Sequence, residues 1–431
     1  MSDSNRRTFL KLSGGVLGGM FAGSTVVAAE RTDRFVVTGK DVPADLEIVH
    51  EMPEVDVTVV RGSEKEVKRS KAVKKYAPDV DIELDEPVEP TDVSELDDGA
   101  PEDPLSVLQW DKDVQNIDSV HERTRGEGTR VAVLDTGIAE THPDFQESLN
   151  VELSRNFTGD GGDHNPRGVQ YHGTHVGGIV AADDNATGVV GSAPGTDLVD
   201  CRVFEALNGG ASFGDILAAI TYAARIDADV ANLSLGAYPF PKKGNGKFYG
   251  GAINEVMTHA NSEGTLLVIA AGNDGADLQH DGNVISLPAE GAQGLAVSAT
   301  SSVGFDPVTG EADNPGTAPT SYTNYGTNAV TLAAPGGDTP AGGGTPDLVY
   351  NAFPQAAADF FGFDRPYVYL AGTSMAAPQV AGAAALVKSE NPDYDANQVE
   401  AALKRTASVP DGEDKAYFGA GFLDVEAALD G

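Results

Sequence analysis

The chain has 431 residues, of which 40% are hydrophobic; that is enough for one large domain or two ordinary ones with a sizeable core, and it excludes a disordered polymer. Acidic residues outnumber basic ones 66 to 29, giving a net charge of -37, and a field of that sign argues against nucleic acid or anionic lipid as a partner. A single cysteine, Cys201, rules out an intramolecular disulfide and a Cys-based zinc cluster and is expected to be a buried apolar residue.

Residues 101 to 431 alone carry 45 acids against 16 bases, spread along the chain rather than gathered in a tail. Concentrated salt screens the self-repulsion of such a surface. The composition resembles that of salt-adapted proteins, so a halophilic origin is expected.

The chain opens MSDSNRRTFLKLSGGVLGGMFAGSTVVAAE, running from paired arginines through a Gly-rich apolar segment to Val27-Ala28-Ala29. This is a signal-peptide layout. Its RRTFLK core resembles the twin-arginine export signal, with cleavage expected after Ala29. Five glycines in residues 12 to 29 argue against a stable membrane anchor, and no cysteine follows that could carry lipid. A secreted, extracellular protein, exported already folded, is the expectation.

Residues 30 to 100 read as a small α+β module. FVVTG, VDVTVV and DVDIELD predict strands, and SEKEVKRSKAVKKY predicts a helix opened by a Ser63/Glu66 capping box. The acidic, proline-rich EPVEPTDVSELDDGAPEDP predicts an exposed linker and the domain boundary. Such a module is either a binding domain or an intramolecular chaperone and inhibitor that is later cut away.

From residue 101 apolar strands alternate with helices: TRVAVLDTG, a helix through HVGGIVAAD, DLVDCRVF, a helix through FGDILAAITYAARID, ADVANLSLG, and TLLVIAAGN. The pattern predicts a three-layer α/β domain, a mostly parallel sheet with helices on both faces. Functional groups gather at the carboxyl ends of strands in such sheets, which selects Asp135, Ser234 and Asn273.

A serine acts as a nucleophile only when a histidine takes its proton and a buried carboxylate orients that histidine. Asp135 closes RVAVLD at a tight Thr136-Gly137 turn, and two of the eight histidines stand in YHGTHVGG ahead of a helix. Taken singly, the aspartate would be a turn residue and either histidine a packed or surface one. With DTGI, HGTHVGG and GTSMAAPQVAG in this order, residues 101 to 428 resemble the subtilisin-like serine proteases, the subtilases, closing in FGAGFLDVEAAL.

That resemblance implies a serine endopeptidase acting on polypeptides through an acyl-enzyme. Asp135 would be the orienting carboxylate, His172 the general base, Ser374 the nucleophile and Asn273 the oxyanion donor, with the Ser374 N–H as a second donor. His175 would be a packing residue. The first-turn N–H groups of a helix starting at Ser374 lack helical acceptors and favour negative charge. Pro378 is read as part of that opening region, while Ala376, Ala377 and Ala381 to Ala385 keep the helix slim. Gln379 stands where the family more often has histidine, and removes no triad member.

The resemblance further implies that Ser234, Leu235 and Gly236 form the substrate-binding strand, with Ala271 and Gly272 as pocket walls suited to a large apolar residue. It implies a structural calcium ion held by Asp103, Asp144 and Asn185 and by carbonyls of Asp183, Thr187 and Val189. If Asp103 is a ligand, maturation must cut before it, within roughly residues 88 to 101. Segments 237 to 251, 303 to 319 and 337 to 369 exceed the family minimum and could reshape the cleft. The expected protein is a monomer with a 30 to 100 propeptide as its own inhibitor and no organic cofactor. The alternatives are a dedicated processing protease with few substrates and a non-catalytic peptide-binding subtilase.

Overall fold

The computed structural model describes residues 29–40, 46–84, 86–92, 105–206, 210–339 and 343–430. The leader up to residue 28, residues 93–100 of the linker and Asp103 lie outside the described residues.

The apolar runs of the large domain form one sheet of eight strands. Its order is Asn314–Pro319, Gly294–Val303, Leu266–Ala270, Val230–Leu233, Arg130–Asp135, Asp197–Arg202 and Arg155–Asn156, with Leu332–Pro335 also paired to Gly294–Val303. Every pairing is parallel except that between Gly294–Val303 and Asn314–Pro319. Along Arg130–Asp135, Val131 and Val133 enter one core while Ala132 and Leu134 enter the other. That alternation is the two-residue period of a strand buried on both faces.

Helices His172–Ala181 and Thr373–Glu390 contribute to the first core, and Phe213–Arg225 and Asn245–Ser262 to the second, which makes the expected three layers. Cys201 is buried in the second. No helix of the described residues is long and apolar enough to cross a membrane.

The N-terminal module is an antiparallel sheet in the order Glu47–Met52, Val57–Arg61, Ala29–Thr38 and Lys75–Glu83. Its helix starts at the expected Ser63/Glu66 capping box but covers only Glu64–Arg69. The lysine-rich continuation is not helical, because Lys75 to Pro78 pair with Phe35 to Thr38 and bury Ala77. Sheet pairing overrides helix propensity there.

A fifth strand of this sheet, Gly210–Ser212, belongs to the large domain. Across the junction Arg34 is fully buried between Asp79, at 2.8 Å, and Asp215. His50 Nε2 lies 2.7 Å from Asp215. The Asp79 carboxylate accepts from Ser212 Oγ at 2.9 Å and from the Gly214 N–H at 3.0 Å. It thus sits at the N-terminus of the Phe213–Arg225 helix, where the macrodipole favours an anion.

Candidate active site

Asp135 is the last residue of its strand, and its Oδ1 accepts the Thr136 N–H at 2.7 Å. His172 begins the next helix, with Nδ1 2.8 and 3.0 Å from the two carboxylate oxygens of Asp135. Both are buried. Gly173 permits this approach: a Cβ there would lie 2.7 Å from the Gly137 carbonyl and 3.0 Å from the Asp135 Cβ.

Burial opposes protonation of His172, but the Asp135 carboxylate outweighs it, Glu86 adds to the effect, and the pKa stands above the ordinary histidine value. His175 is also buried, 3.3 Å from the Val368 carbonyl, and burial lowers its pKa to about 3. It stays neutral and packs, away from Asp135.

Ser374 is the second residue of helix Thr373–Glu390. Pro378 lies inside this helix rather than in its opening turn, a correction to the sequence reading. Its missing N–H leaves the Ser374 carbonyl without the usual partner four residues on. That carbonyl accepts instead from Ser234 Oγ at 2.8 Å, which ties the nucleophile's turn to the substrate strand. The Ser374 hydroxyl donates to the Ser234 carbonyl at 3.3 Å, and among the described residues no hydrogen bond joins it to His172.

Asn273 Oδ1 accepts from the Thr373 N–H at 2.9 Å and from Thr373 Oγ1 at 2.8 Å. Both partners are donors, so the amide nitrogen is on the opposite side, 3.6 Å from where a Cβ on Gly372 would sit.

Ser234, Leu235, Gly236 and Gly272 line the cleft that contains Asn273 and Ser374. Ala271 does not. It is fully buried and its neighbour Ala270 lines the cleft, because successive residues of an extended chain face opposite sides.

The cleft is occupied by the chain itself. Glu83 and Leu84 line it together with Ser374. Tyr171 donates its hydroxyl to the Glu86 carboxylate, and Thr91 pairs with Tyr369. Leu84 thus lies at the cleft and Glu86 beside Tyr171, both upstream of the 88 to 101 window.

Two buried clusters carried no sequence signal. Lys112 Nζ donates to Gln379 Oε1 at 2.7 Å, Ser192 Oγ at 2.8 Å and the Ile179 carbonyl at 3.0 Å. Gln379 Nε2 in turn donates to Asp111 at 2.7 Å. The departure at Gln379 is thus the hub of a network joining the His172 helix to the Ser374 helix. In the second cluster Asp200 accepts the Ile138 N–H at 2.7 Å and faces His164 Nδ1 at 3.0 Å, holding the turn after Asp135.

At the expected calcium loop, Asp144 is buried and its Oδ1 has no hydrogen-bond partner among the described residues. Gly188, with φ +59°, wraps this carboxylate so closely that a Cβ would lie 2.4 Å from Oδ2. The Asp183 carboxylate is taken by the N–H groups of Glu147 and Ser148, so only its carbonyl could face an ion. Asn185 Oδ1 accepts from the Thr187 N–H and hydroxyl at 3.0 and 2.7 Å. Among the described residues no three His, Cys, Asp or Glu side chains form a metal cluster. A buried carboxylate oxygen left without a partner among the described residues nevertheless suits a hard cation.

An imidazole held by a buried carboxylate, a serine at a helix start and a cleft edged by a strand end are parts that a serine hydrolase requires. Residues 126–421 match the Peptidase_S8 model, described as the subtilase family. An alkaline protease of Alkalihalobacillus alcalophilus is 31% identical over 408 residues, 94% of this chain and 87% of that protein. Subtilisin Savinase of Lederbergia lenta is 35% identical over 303 residues, 70% of this chain and 91% of that protein. The crystal structure of the epidermin leader peptide processing serine protease of Staphylococcus aureus superposes with a TM-score of 0.72 at 21% identity, covering 93% of this chain and 98% of that one. The chain belongs to the subtilase family and is a serine endopeptidase of the subtilisin type.

Proposed function

We propose that this endopeptidase is made as a secreted, self-inhibited precursor, exported through its twin-arginine leader, in which residues 30 to about 100 hold the cleft until they are cut away. Ser374 is the nucleophile, His172 the general base, Asp135 the orienting carboxylate, and Asn273 with the Ser374 N–H the oxyanion donors. The observation that carries the reading is that the chain's own Glu83 and Leu84 line the cleft with Ser374 while Glu86 and Thr91 bond to Tyr171 and Tyr369.

In catalysis the Ser374 hydroxyl turns from the Ser234 carbonyl to His172 Nε2 and gives up its proton as Oγ attacks the substrate carbonyl carbon. The Asp135 carboxylate steadies the imidazolium that forms, and the donors at Asn273 and Ser374 receive the oxyanion. Collapse breaks the C–N bond while His172 returns the proton to the leaving amine. Water, deprotonated by His172, then releases the acyl group from Ser374.

Latency has two supports. The hydroxyl of Ser374 is engaged by the Ser234 carbonyl at 3.3 Å, and the chain's own Glu83 and Leu84 line the cleft beside it. Removal of Glu83 and Leu84 with the propeptide lifts that second restraint.

A fluorophosphonate probe tests the assignment directly. The processed enzyme is expected to lose activity in step with one adduct per chain on the peptide containing Ser374. Inactivation with the adduct on another residue would refute it.

Calcium, bound by Asp144, Asn185 and the carbonyls of Asp183, Thr187 and Val189, with Asp103 as a further ligand, would clip this loop as a structural ion. At fixed high salt a chelator is expected to lower Tm by about 5 °C or more, since a ligand bound only to the folded state contributes roughly 3–4 kcal/mol at a few hundred times its Kd. An unchanged Tm would remove the ion from the reading. A processing protease with few substrates is the second reading, favoured by the long 337 to 369 insertion beside the cleft.

A further inference from the structure

The chain beyond Ser374 lies in a groove built largely by that insertion. Strand Tyr367–Leu370 pairs with Val349–Ala352 and leads through Ala371 and Gly372 into Ser374. Its Tyr369 exchanges two backbone hydrogen bonds with Thr91, of 2.9 and 3.2 Å, in the manner of an added strand. Asp92 Oδ2 accepts the Asp364 N–H at 3.4 Å.

The floor is aromatic. Tyr171 packs on Phe353 with ring centroids 4.9 Å apart, Phe353 lies 6.1 Å from Phe361, and Phe361 stacks on Phe363 at 5.5 Å. Val88 packs on the core that this floor belongs to. Two residues earlier, Glu86 receives the Tyr171 hydroxyl immediately beside His172.

Resting on the endopeptidase reading above, we propose that this groove is a substrate site on the leaving-amine side of the scissile bond. It selects polypeptides with an acidic residue at the position of Glu86, an apolar residue at that of Val88, and an extended backbone reaching that of Thr91. Three physical reasons support the choice. An acidic side chain there meets a hydroxyl donor and stands next to the imidazolium that forms in the reaction. In a protein of net charge -37 an acidic peptide needs such a local donor to overcome the surrounding field. The Tyr369 edge supplies affinity that is independent of side chains, and the aromatic floor supplies apolar area.

The test uses the processed enzyme at high salt with quenched peptides that share one acyl half. One set carries Glu or Gln at the Glu86 position in a seven-residue leaving segment, another is cut short after two residues, and a peptide anilide has no leaving-side residues. Charged hydrogen bonds contribute more than neutral ones, so kcat/KM is expected to be about tenfold higher for Glu than for Gln. It is also expected to fall about tenfold on shortening. Tyr171→Phe, which keeps the ring, should bring the Glu to Gln ratio, measured within the variant, to about 1. Anilide cleavage with equal rates for all peptides, or a Glu preference that survives Tyr171→Phe, overturns the groove alone. Failure to cut the anilide overturns the endopeptidase reading with it.

Discussion

Ser374→Ala is expected to lower kcat by roughly 10⁶-fold and to leave the secreted chain at full precursor length. Removing the nucleophile of a triad abolishes its concerted action, so the remaining members confer little. The fold should survive. Among the described residues the only side-chain hydrogen bond of Ser374 is the 3.3 Å contact to the Ser234 carbonyl, and the tie from Ser234 Oγ uses only the backbone of residue 374. Hydrolysis of casein, the mass of the purified chain and its Tm together decide the matter. A variant that digests casein at the normal rate sinks the assignment of Ser374. A variant that is inactive yet processed to normal length shows that maturation is done by another protease.

Lys112→Met is expected to cost about 3–5 kcal/mol, the penalty for leaving one member of a buried ionic network without its partner. Asp111 would retain only the Gln379 amide, and Gln379 would lose its strongest donor. In a domain of this size the loss corresponds to a fall in Tm of roughly 6–10 °C. The double variant Asp111→Asn, Lys112→Met should recover part of it, because the orphaned charge is gone. Lys112 also sets a pH dependence. Burial outweighs the attraction of Asp111 and lowers its pKa to about 8.

Below about pH 8 both folded and unfolded chains carry the proton, so the full cost of burying the charge is present. Between about 8 and 10.4 the unfolded chain keeps a proton that the folded chain has released. Stability at high salt should therefore rise with pH across that window, by at most about 3 kcal/mol. Lys112→Met should flatten this rise, as read from denaturant midpoints at several pH values. A variant whose midpoint changes with pH as steeply as that of the unaltered chain would exclude Lys112 as the group responsible.

The legible parts of this protein are those written in contiguous residues. Asp135 ends an apolar run and is followed by its own turn, His172 opens a helix, and Ser374 stands among small residues at the head of another. Each stands at the end or start of a local element, so short motifs carry its identity and its place on that element, while the bonds joining Asp135 to His172 and Ser374 to Ser234 span 37 and 140 residues. The module before residue 101 was legible as well, except where tertiary pairing drew Lys75 to Pro78 out of the predicted helix.

The Lys112 network was not legible, because its partners are 80 and 267 residues apart in the chain and share no period. The same holds for the choice of Ala270 over Ala271 as a wall, which depends on how the end of one strand is turned. By itself the sequence determined the sheet, the order of its reactive residues and the family they define, since periodicity and local turns encode these. Only the tertiary structure decided that Glu83 and Leu84 line the cleft with Ser374, that Gln379 rather than a histidine joins two helices through Lys112, and that Tyr171 and Tyr369 flank a groove beyond the nucleophile. Those contacts come from the packing of distant segments, and no local pattern of side chains specifies which of them will meet.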